Sequence, residues 1–351
     1  MNIFFQVLKR KKISGILLSN SSLNNQDPNI NYFTGLTLEY CFLFISRKKK
    51  ILFVPEMEYE RAKKKSKIRR VSVISKDKKK FLNQLKKIIK GKNIGINADS
   101  LTINQLKGLK KLRKRFVDVS GNLKKIRMKK TKEEIKIIKT ACNITAQIMN
   151  KLIRNIKKFK SEKEISVFLE EEALKHNCKT SFKSIVASGP NSSKPHAEPE
   201  NKLYDGFMVV DFGVRYRGYC SDVTRTFYKG KPNDEEIALY SLVYMAQQKA
   251  INSCKVNVTS RKVYNVAFKA LKKYSKYFIH GLGHGIGVEI HENPNLNLKS
   301  KDKLSINTVF TVEPGIYIPG KFGIRIEDDI LMTKKGPVVL TSDIPKNLIC
   351  F

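Results

Sequence analysis

The chain alternates short apolar runs with stripes of apolar residues at helical spacing. Residues 13–20 read as a buried strand closed by polar turn residues, and residues 41–45 and 51–54 as a hairpin around the basic turn Arg47 to Lys50. Residues 29–35 read as a loop with an aromatic anchor, Tyr32-Phe33. Helices are predicted over 56–65, 79–89 and 101–113, and strands over 71–74, 92–96 and 116–119. Such alternation predicts an α/β domain over residues 1–122. It holds no histidine, and no chemistry is legible in it.

A basic linker, residues 122–130, leads into a second domain, residues 123–351. Thr131-Lys132-Glu133-Glu134 is a capping box, in which Thr131 and Glu134 each bond the other's amide. Ile135, Ile138, Cys142 and Met149 then mark one face of a long helix. Ser161 and Glu164 repeat the device, with Ile165, Phe168 and Leu169 as the buried stripe. Residues 182–187 read as a strand, followed by a loop carrying Pro195-His196-Ala197. Further helices are predicted over 233–254 and 260–273. Helices followed by an acidic hairpin thus occur twice.

The two hairpins carry the candidate chemistry. Asp211 ends the apolar run Met208-Val209-Val210, and Asp222 follows a turn between Gly213 and Gly218. Glu313 ends the run Val309-Phe310-Thr311-Val312, and Glu327 follows turns at Pro314-Gly315 and Pro319-Gly320. A hairpin centred between Tyr216 and Arg217 would set Asp211 opposite Asp222, and one centred on Gly320 would set Glu313 opposite Glu327. Opposed side chains have Cβ atoms about 4.5–5.5 Å apart, where like charges repel. In apolar strands such pairs cost stability unless the carboxyls are protonated or a cation lies between them. Each acid alone is an ordinary hairpin polar group; together with a histidine they point to metal, and four carboxylates plus an imidazole suit two divalent ions better than one. Of the five histidines, four (His196, His280, His284, His291) fall in or near this block.

At 351 residues the chain has room for two domains and a sizeable core, and 41% hydrophobic residues is ordinary for a soluble globular protein. The six cysteines are widely spaced and never form Cys-x-x-Cys, which speaks for free thiols in a reducing compartment. Residues 1–12 hold too short an apolar run for a signal peptide, and no run approaches the roughly 20 residues that span a bilayer. The expectation is a cytoplasmic protein with no membrane partner. A net charge of +38 attracts polyanions non-specifically at low salt. The excess is mostly lysine spread along the chain, and runs such as Lys48-Lys49-Lys50 lack the interleaved aromatics of a stacking platform. It reads as solvated charge with no specific nucleic-acid role.

At Pro195-His196-Ala197, Val209-Val210-Asp211-Phe212-Gly213, Ser221-Asp222-Val223-Thr224-Arg225-Thr226, the glycine-rich block His280 to Gly287, His291-Glu292, Val312-Glu313-Pro314-Gly315 and Arg325-Ile326-Glu327-Asp328, the chain resembles the creatinase, aminopeptidase P and prolidase family of metallopeptidases. Asn31-Tyr32-Phe33-Thr34-Gly35 and Phe53-Val54-Pro55-Glu56 look like the first domain of its small prolidase-like members. Asp205-Gly206 and Asn307-Thr308 depart from the family pattern, and neither touches an implied ligand. The resemblance implies an α/β (α+β) fold: a small N-terminal α/β creatinase-like domain and a C-terminal "pita-bread" catalytic domain, two pseudo-symmetric halves around a dinuclear metal centre. The implied ligands are Asp211, Asp222, His284, Glu313 and Glu327, with Asp222 and Glu327 bridging. A donor set without thiolate favours Mn²⁺ or Co²⁺, with Zn²⁺ and Fe²⁺ as further candidates.

The implied reaction is hydrolysis of the bond before proline in short proline-containing peptides, by a dipeptidase or an aminopeptidase. Glu313 is expected to pass a proton from the attacking water to the prolyl nitrogen, and His196 and His291 to steady the tetrahedral intermediate. His280 would line the substrate pocket, and Arg325 would hold a substrate carboxylate or orient a metal ligand. Cys220, on the face of Asp222, reads as packing, and His176 as an exposed helix-end residue. A homodimer is implied as well. The competing readings are a metal-free binding protein on the same scaffold and another hydrolase, such as one acting on creatine.

Overall fold

The structure, a computed structural model, describes residues 2–22 and 25–351. The chain divides into two compact units, one ending at Arg127 and one running from Met128 to Phe351. In the first unit, β1 (Ile16–Asn20), β2 (Cys41–Ile45), β3 (Lys50–Val54), β4 (Val71–Val73), β5 (Asn93–Ile96) and β6 (Arg115–Asp118) form one sheet in the order β4-β3-β2-β1-β5-β6. The three central strands β1, β2 and β3 pair antiparallel and the outer ones parallel. Its helices are α1 (Asn2–Arg10), α2 (Pro28–Thr34), α3 (Glu56–Lys65), α4 (Lys78–Ile88), α5 (Ile103–Lys110) and α6 (Ser120–Met128). Leu17 and Leu18, neighbours in β1, enter two different apolar clusters, so both faces of the sheet are covered.

Two expectations fail here for identifiable reasons. Residues 29–35 are not a loop. Asp27 accepts from the Asn29 amide, Pro28 occupies the first turn, and Gly35 closes α2 in the left-handed region at φ 72°. Residues 122–130 are not a linker either. Most of them extend α6, which buries Leu123 and Arg127, and Lys130 beyond it is buried too.

In the second unit the helices are α7 (Lys132–Asn155), α8 (Glu162–Lys175), α9 (Asp234–Ser253) and α10 (Ser260–Ala270). Among the described residues none of the helices is long and apolar enough to cross a membrane. The Thr131 amide donates to Glu134 at 2.8 Å and the Glu134 amide to Thr131 at 3.2 Å, completing the capping box. Ile138, Cys142 and Met149 are buried as expected, whereas Ile135 stays partly exposed. At Ser161 the box is one-sided: Ser161 accepts from the Glu164 amide, but the Glu164 carboxylate takes the Lys160 amide instead.

Strands β7 (Lys179–Thr180), β8 (Ile185–Ser188), β9 (Gly206–Phe212), β10 (Val214–Tyr216), β11 (Tyr219–Cys220) and β12 (Val223–Lys229) precede α9. After α10 come β13 (Gly283–Gly285), β14 (Glu292–Leu296), β15 (Val309–Val312), β16 (Gly315–Ile318), β17 (Phe322–Arg325), β18 (Asp328–Thr333), β19 (Gly336–Val339) and β20 (Ile349–Cys350). One sheet runs β20-β12-β9-β8, and α7 and α8 share its core through Met149, Leu169, Val210 and Phe212. A second runs β14-β13-β15-β18-β19, and α9 and α10 share its core through Val243, Val263, Phe310 and Ile330. β11-β10-β7 and β16-β17 extend the two hairpins.

The second hairpin keeps the expected register. Val312 pairs with Asp328 and Gly315 with Arg325, so Glu313 and Glu327 fall opposite each other between two ladders. The turn of the first lies one residue further along the chain than expected, which shifts its pairing by two. Its turn is Arg217-Gly218, with φ 47° and 85°, and Tyr216 pairs with Tyr219. Asp211 therefore faces Thr224 rather than Asp222, which lies diagonally from it. Hydrogen bonds lock the hairpins together: the Glu327 amide donates to Thr224 O at 3.1 Å, and the Arg225 guanidinium donates to Glu327 O at 2.6 Å and to Asp328 Oδ1 at 2.9 Å.

Gly213 passes so close to Ser221 that an added Cβ would lie 1.9 Å from its carbonyl oxygen. Gly213→Ala is therefore expected to destabilise the protein by about 1–3 kcal/mol or more through backbone displacement. Urea unfolding measures the loss; a midpoint equal to that of the parent protein would contradict this account of the hairpin.

Candidate metal centre

Every site residue expected from the sequence reaches one cavity of about 590 Å³. Asp211, Asp222, His284, Glu313 and Glu327 line it with His196, His280, His291 and Arg325. Asp211 comes from β9, Asp222 from the step between β11 and β12, His284 from β13, Glu313 from just past β15, and Glu327 from the step between β17 and β18. One donor atom each from Asp222, His284 and Glu327 lie within 4.8 Å of one another. His284 Nε2 is 3.4 Å from Glu313 Oε1 and 3.6 Å from Asp222 Oδ2.

The protonation pattern follows from burial. Burial, reinforced by Glu327, Asp211, Asp329 and Glu313, pushes Asp222 well above the usual carboxylate range. Burial, then Glu313 and Asp211, does the same to Glu327. Burial lifts Glu313 to about 7 against the opposing pull of Arg325. Burial also lowers His284 to about 3 and His280 to about 4, which keeps both imidazoles neutral. With Nδ1 of His284 3.2 Å from Gly285 O, the tautomer that donates there leaves Nε2 free as a ligand.

These residues fit divalent ions. Asp211 Oδ1 and Asp222 Oδ1 are buried without a hydrogen-bond partner, an arrangement that costs about 1–3 kcal/mol per group unless something positive meets it. The donors are carboxylate oxygens and one neutral imidazole. Cys220 is not among them: burial pushes its thiol up to about 11, and it packs as expected.

The surrounding groups hold the acids in place. Arg325 donates to Asp211 Oδ2 at 2.7 Å, to the Tyr317 hydroxyl at 2.6 Å and to Thr224 Oγ1 at 3.1 Å. This geometry ties Arg325 to a cavity-lining acid. Thr224 donates to Glu327 Oε2 at 2.7 Å, and Thr311 to Glu313 Oε1 at 3.1 Å. Asp329 Oδ2 accepts the Asp222 amide at 2.9 Å. His280 Nε2 meets the Tyr317 hydroxyl at 3.0 Å, and the His291 ring stands edge-on to His284 with centroids 4.3 Å apart. His176 caps α8, partly buried rather than exposed, and does not line the cavity.

Sequence reasoning gave no role to Thr224, Thr311, Tyr317 or Asp329. Thr224 alternates with Asp222 and Thr311 with Glu313, so strand period alone places both beside a candidate ligand. Asp329 meets Asp222 across 107 residues of sequence, which no local pattern encodes.

The sequence profile of metallopeptidase family M24 matches residues 136–334, and that of the creatinase/prolidase N-terminal domain residues 4–129. A Xaa-Pro dipeptidase of Pyrococcus horikoshii is 36% identical over 95% of this chain and 96% of its own. Among solved structures, a Xaa-Pro dipeptidase from Bacillus anthracis is similar with a TM-score of 0.90 at 34% identity, covering 100% of this chain and 98% of that one. The X-Pro aminopeptidase from Thermotoga maritima is similar with a TM-score of 0.88 at 32% identity, covering 97% and 99%.

Metal-stripped protein is expected to lose stability as pH rises. A carboxyl whose folded pKa is raised, as Glu313 is from 4.5 to about 7, holds its proton in the folded chain after the unfolded chain has released it. Its contribution is therefore fully present below the lower value and lost as pH climbs through the upper one. Melts at pH 5, 6, 7 and 8 should show the midpoint falling for stripped protein. Mn²⁺ should reduce the fall, and so should Glu313→Gln. A midpoint that rises across this window in stripped protein contradicts the assignment.

Proposed function

The chain belongs to metallopeptidase family M24, and from that membership we propose a Xaa-Pro peptidase with two divalent ions held by Asp211, Asp222, His284, Glu313 and Glu327. The carrying observation is the convergence of these five side chains in one cavity, with two carboxylate oxygens left unpartnered. Mn²⁺ or Co²⁺ suits this donor set best, with Zn²⁺ or Fe²⁺ as alternatives. Such ions supply charge opposite the substrate carbonyl and an acidified water as nucleophile.

The chain's own residues supply the rest. Glu313, oriented by the Thr311 hydroxyl, is the carboxylate that would take the proton of the attacking water and return it. The nitrogen of a prolyl bond carries no hydrogen, so it must be protonated to leave, and Glu313 is the group placed to do so. His196 and His291 line the wall and steady the developing oxyanion. His280, backed by Tyr317, lines the substrate side of the cavity. Arg325 keeps Asp211 aimed inward.

Dipeptides and longer peptides both satisfy this chemistry. A homodimer in a reducing cytoplasm fits the family resemblance and six free cysteines. A metal-free binding module is the weaker reading, because it leaves the buried acids without a counter-charge.

Stripped protein reloaded with Mn²⁺ or Co²⁺ is expected to hydrolyse Ala-Pro, Ala-Pro-Ala or both, and the ratio assigns dipeptidase or aminopeptidase. Asp222→Asn should lower kcat by more than about 100-fold, beyond the usual cost of losing an outer-shell partner, with circular dichroism unchanged. Full activity in that variant, or no hydrolysis with any of the four ions, refutes the proposal.

A further inference from the structure

We infer that Lys130 and Glu292 form a positioning pair that sets the turn carrying His291. Lys130 Nζ lies 3.1 Å from Glu292 Oε2, and the two side chains are 1% and 2% exposed. They are 162 residues apart in sequence. Desolvating two charges consumes much of what their attraction returns, and apolar residues of similar volume are often as stable or more so. Stability is therefore a weak reason for such a pair, and fixing one geometry is a better one.

The geometry it fixes is local and specific. β13 and β14 pair irregularly after His284, and the chain turns through residues 287–291 before Glu292 pairs with Gly285. The Glu292 carboxylate fills the inside of that turn. Its Oε1 accepts the Glu289 amide at 3.2 Å. A Cβ on Gly287 would sit 2.6 Å from its Oε2. The Gly287 amide bonds Glu289 O, and Gly287 O accepts the Cys220 amide two residues before Asp222. The turn thus starts beside one candidate ligand, is tied to the approach to another, and ends at His291, whose ring abuts His284.

Lys130 is the fixed end. Its amide donates to Asn307 O at 2.8 Å, Lys129 bridges to Thr308, and Thr131 caps α7 immediately after it. The backbone that carries the ammonium is therefore held from both sides of Lys130. The carboxylate follows the ammonium, the turn follows the carboxylate, and His291 follows the turn.

The inference rests on the peptidase reading and on His291 acting in the transition state. If metal-loaded parent protein hydrolyses no Xaa-Pro peptide, that reading has failed, not the pair. Given activity, Lys130→Met/Glu292→Gln, which removes both charges, is expected to lower kcat at least tenfold with KM within twofold and metal content unchanged. An interaction made only in the transition state gives that split. Gly287→Ala, which displaces Glu292 sterically, should reproduce it. The decisive comparison is His291→Ala in both backgrounds: at least tenfold lost in the parent, and less than threefold further in the double variant. Equal losses in the two backgrounds, or a double variant with kcat within twofold of the parent, overturn the inference. If the double variant does not fold, the same comparison in Gly287→Ala decides.

Discussion

The second unit is organised around a charge imbalance that it cannot correct from within. Asp211, Asp222, Glu313 and Glu327 face one cavity, and the buried cation among them is Arg325, which pairs with Asp211. The neighbouring imidazoles His280, His284 and His291 are driven toward neutrality by burial, so they contribute dipoles and lone pairs rather than charge. Three negative charges remain to be met. Without ions the protein responds as any low-dielectric site must, by raising the proton affinity of Asp222, Glu313 and Glu327. One divalent ion would leave a negative charge in the cavity. Two would leave a positive one, which a single anionic ligand cancels.

The fold meets the cost of bringing like charges together by distributing it over two independently backed sheets. Each acidic hairpin is anchored by its own helix pair, α7 with α8 or α9 with α10, through an apolar core. Each hairpin is thus backed from outside the site, and within it Arg325 of the second hairpin also pairs with Asp211 of the first. The seam between them uses groups that survive a change of protonation: the Glu327 amide to Thr224 O, the Thr226 hydroxyl to Arg325 O at 2.8 Å, and the Arg225 guanidinium to Glu327 O. Asp328 sits next to a carboxyl of strongly raised pKa, yet its own is lowered. Its burial alone would raise it, but Arg225 and Lys346 together outweigh that. Adjacent acids thus hold opposite protonation preferences because one faces the cavity and the other faces the seam.

The sequence exposes the chemistry more readily than the register. The second hairpin is legible because Gly320 marks its centre and Pro314-Gly315 leaves little choice of strand start. The first offers two glycines, Gly213 and Gly218, and a turn that places a non-glycine residue, Arg217, at positive φ. Without an Asn or Asp there to advertise the turn, a shift of one position is unreadable, and Thr224 occupies the place assigned to Asp222. The α2 helix carried readable start and stop signals in Asp27, Pro28 and Gly35, overshadowed by the aromatic pair between them. Lys130 is the instructive failure. In a chain of net charge +38, one more lysine in a basic stretch reads as surface, and only a carboxylate 162 residues away reveals it as interior.

Three buried ionic pairs share a feature that composition cannot suggest. Arg225 with Asp328, Arg325 with Asp211, and Lys130 with Glu292 each include a residue that is itself a candidate ligand or adjoins a residue lining the site. Buried pairs contribute little net stability, but they penalise every arrangement in which one partner is displaced. In a strand that penalty has particular force, because a slip of one residue carries each side chain to the opposite face. For Glu327 such a slip would turn a cavity-lining acid outward and turn Asp328 into the cavity. Pairing Asp328 with Arg225 makes that slip cost a bare interior charge. The lysines scattered over the surface do nothing comparable, since solvent screens them. The charges that matter to this protein are the few that water cannot reach, and their partners hold the cavity-lining acids in register.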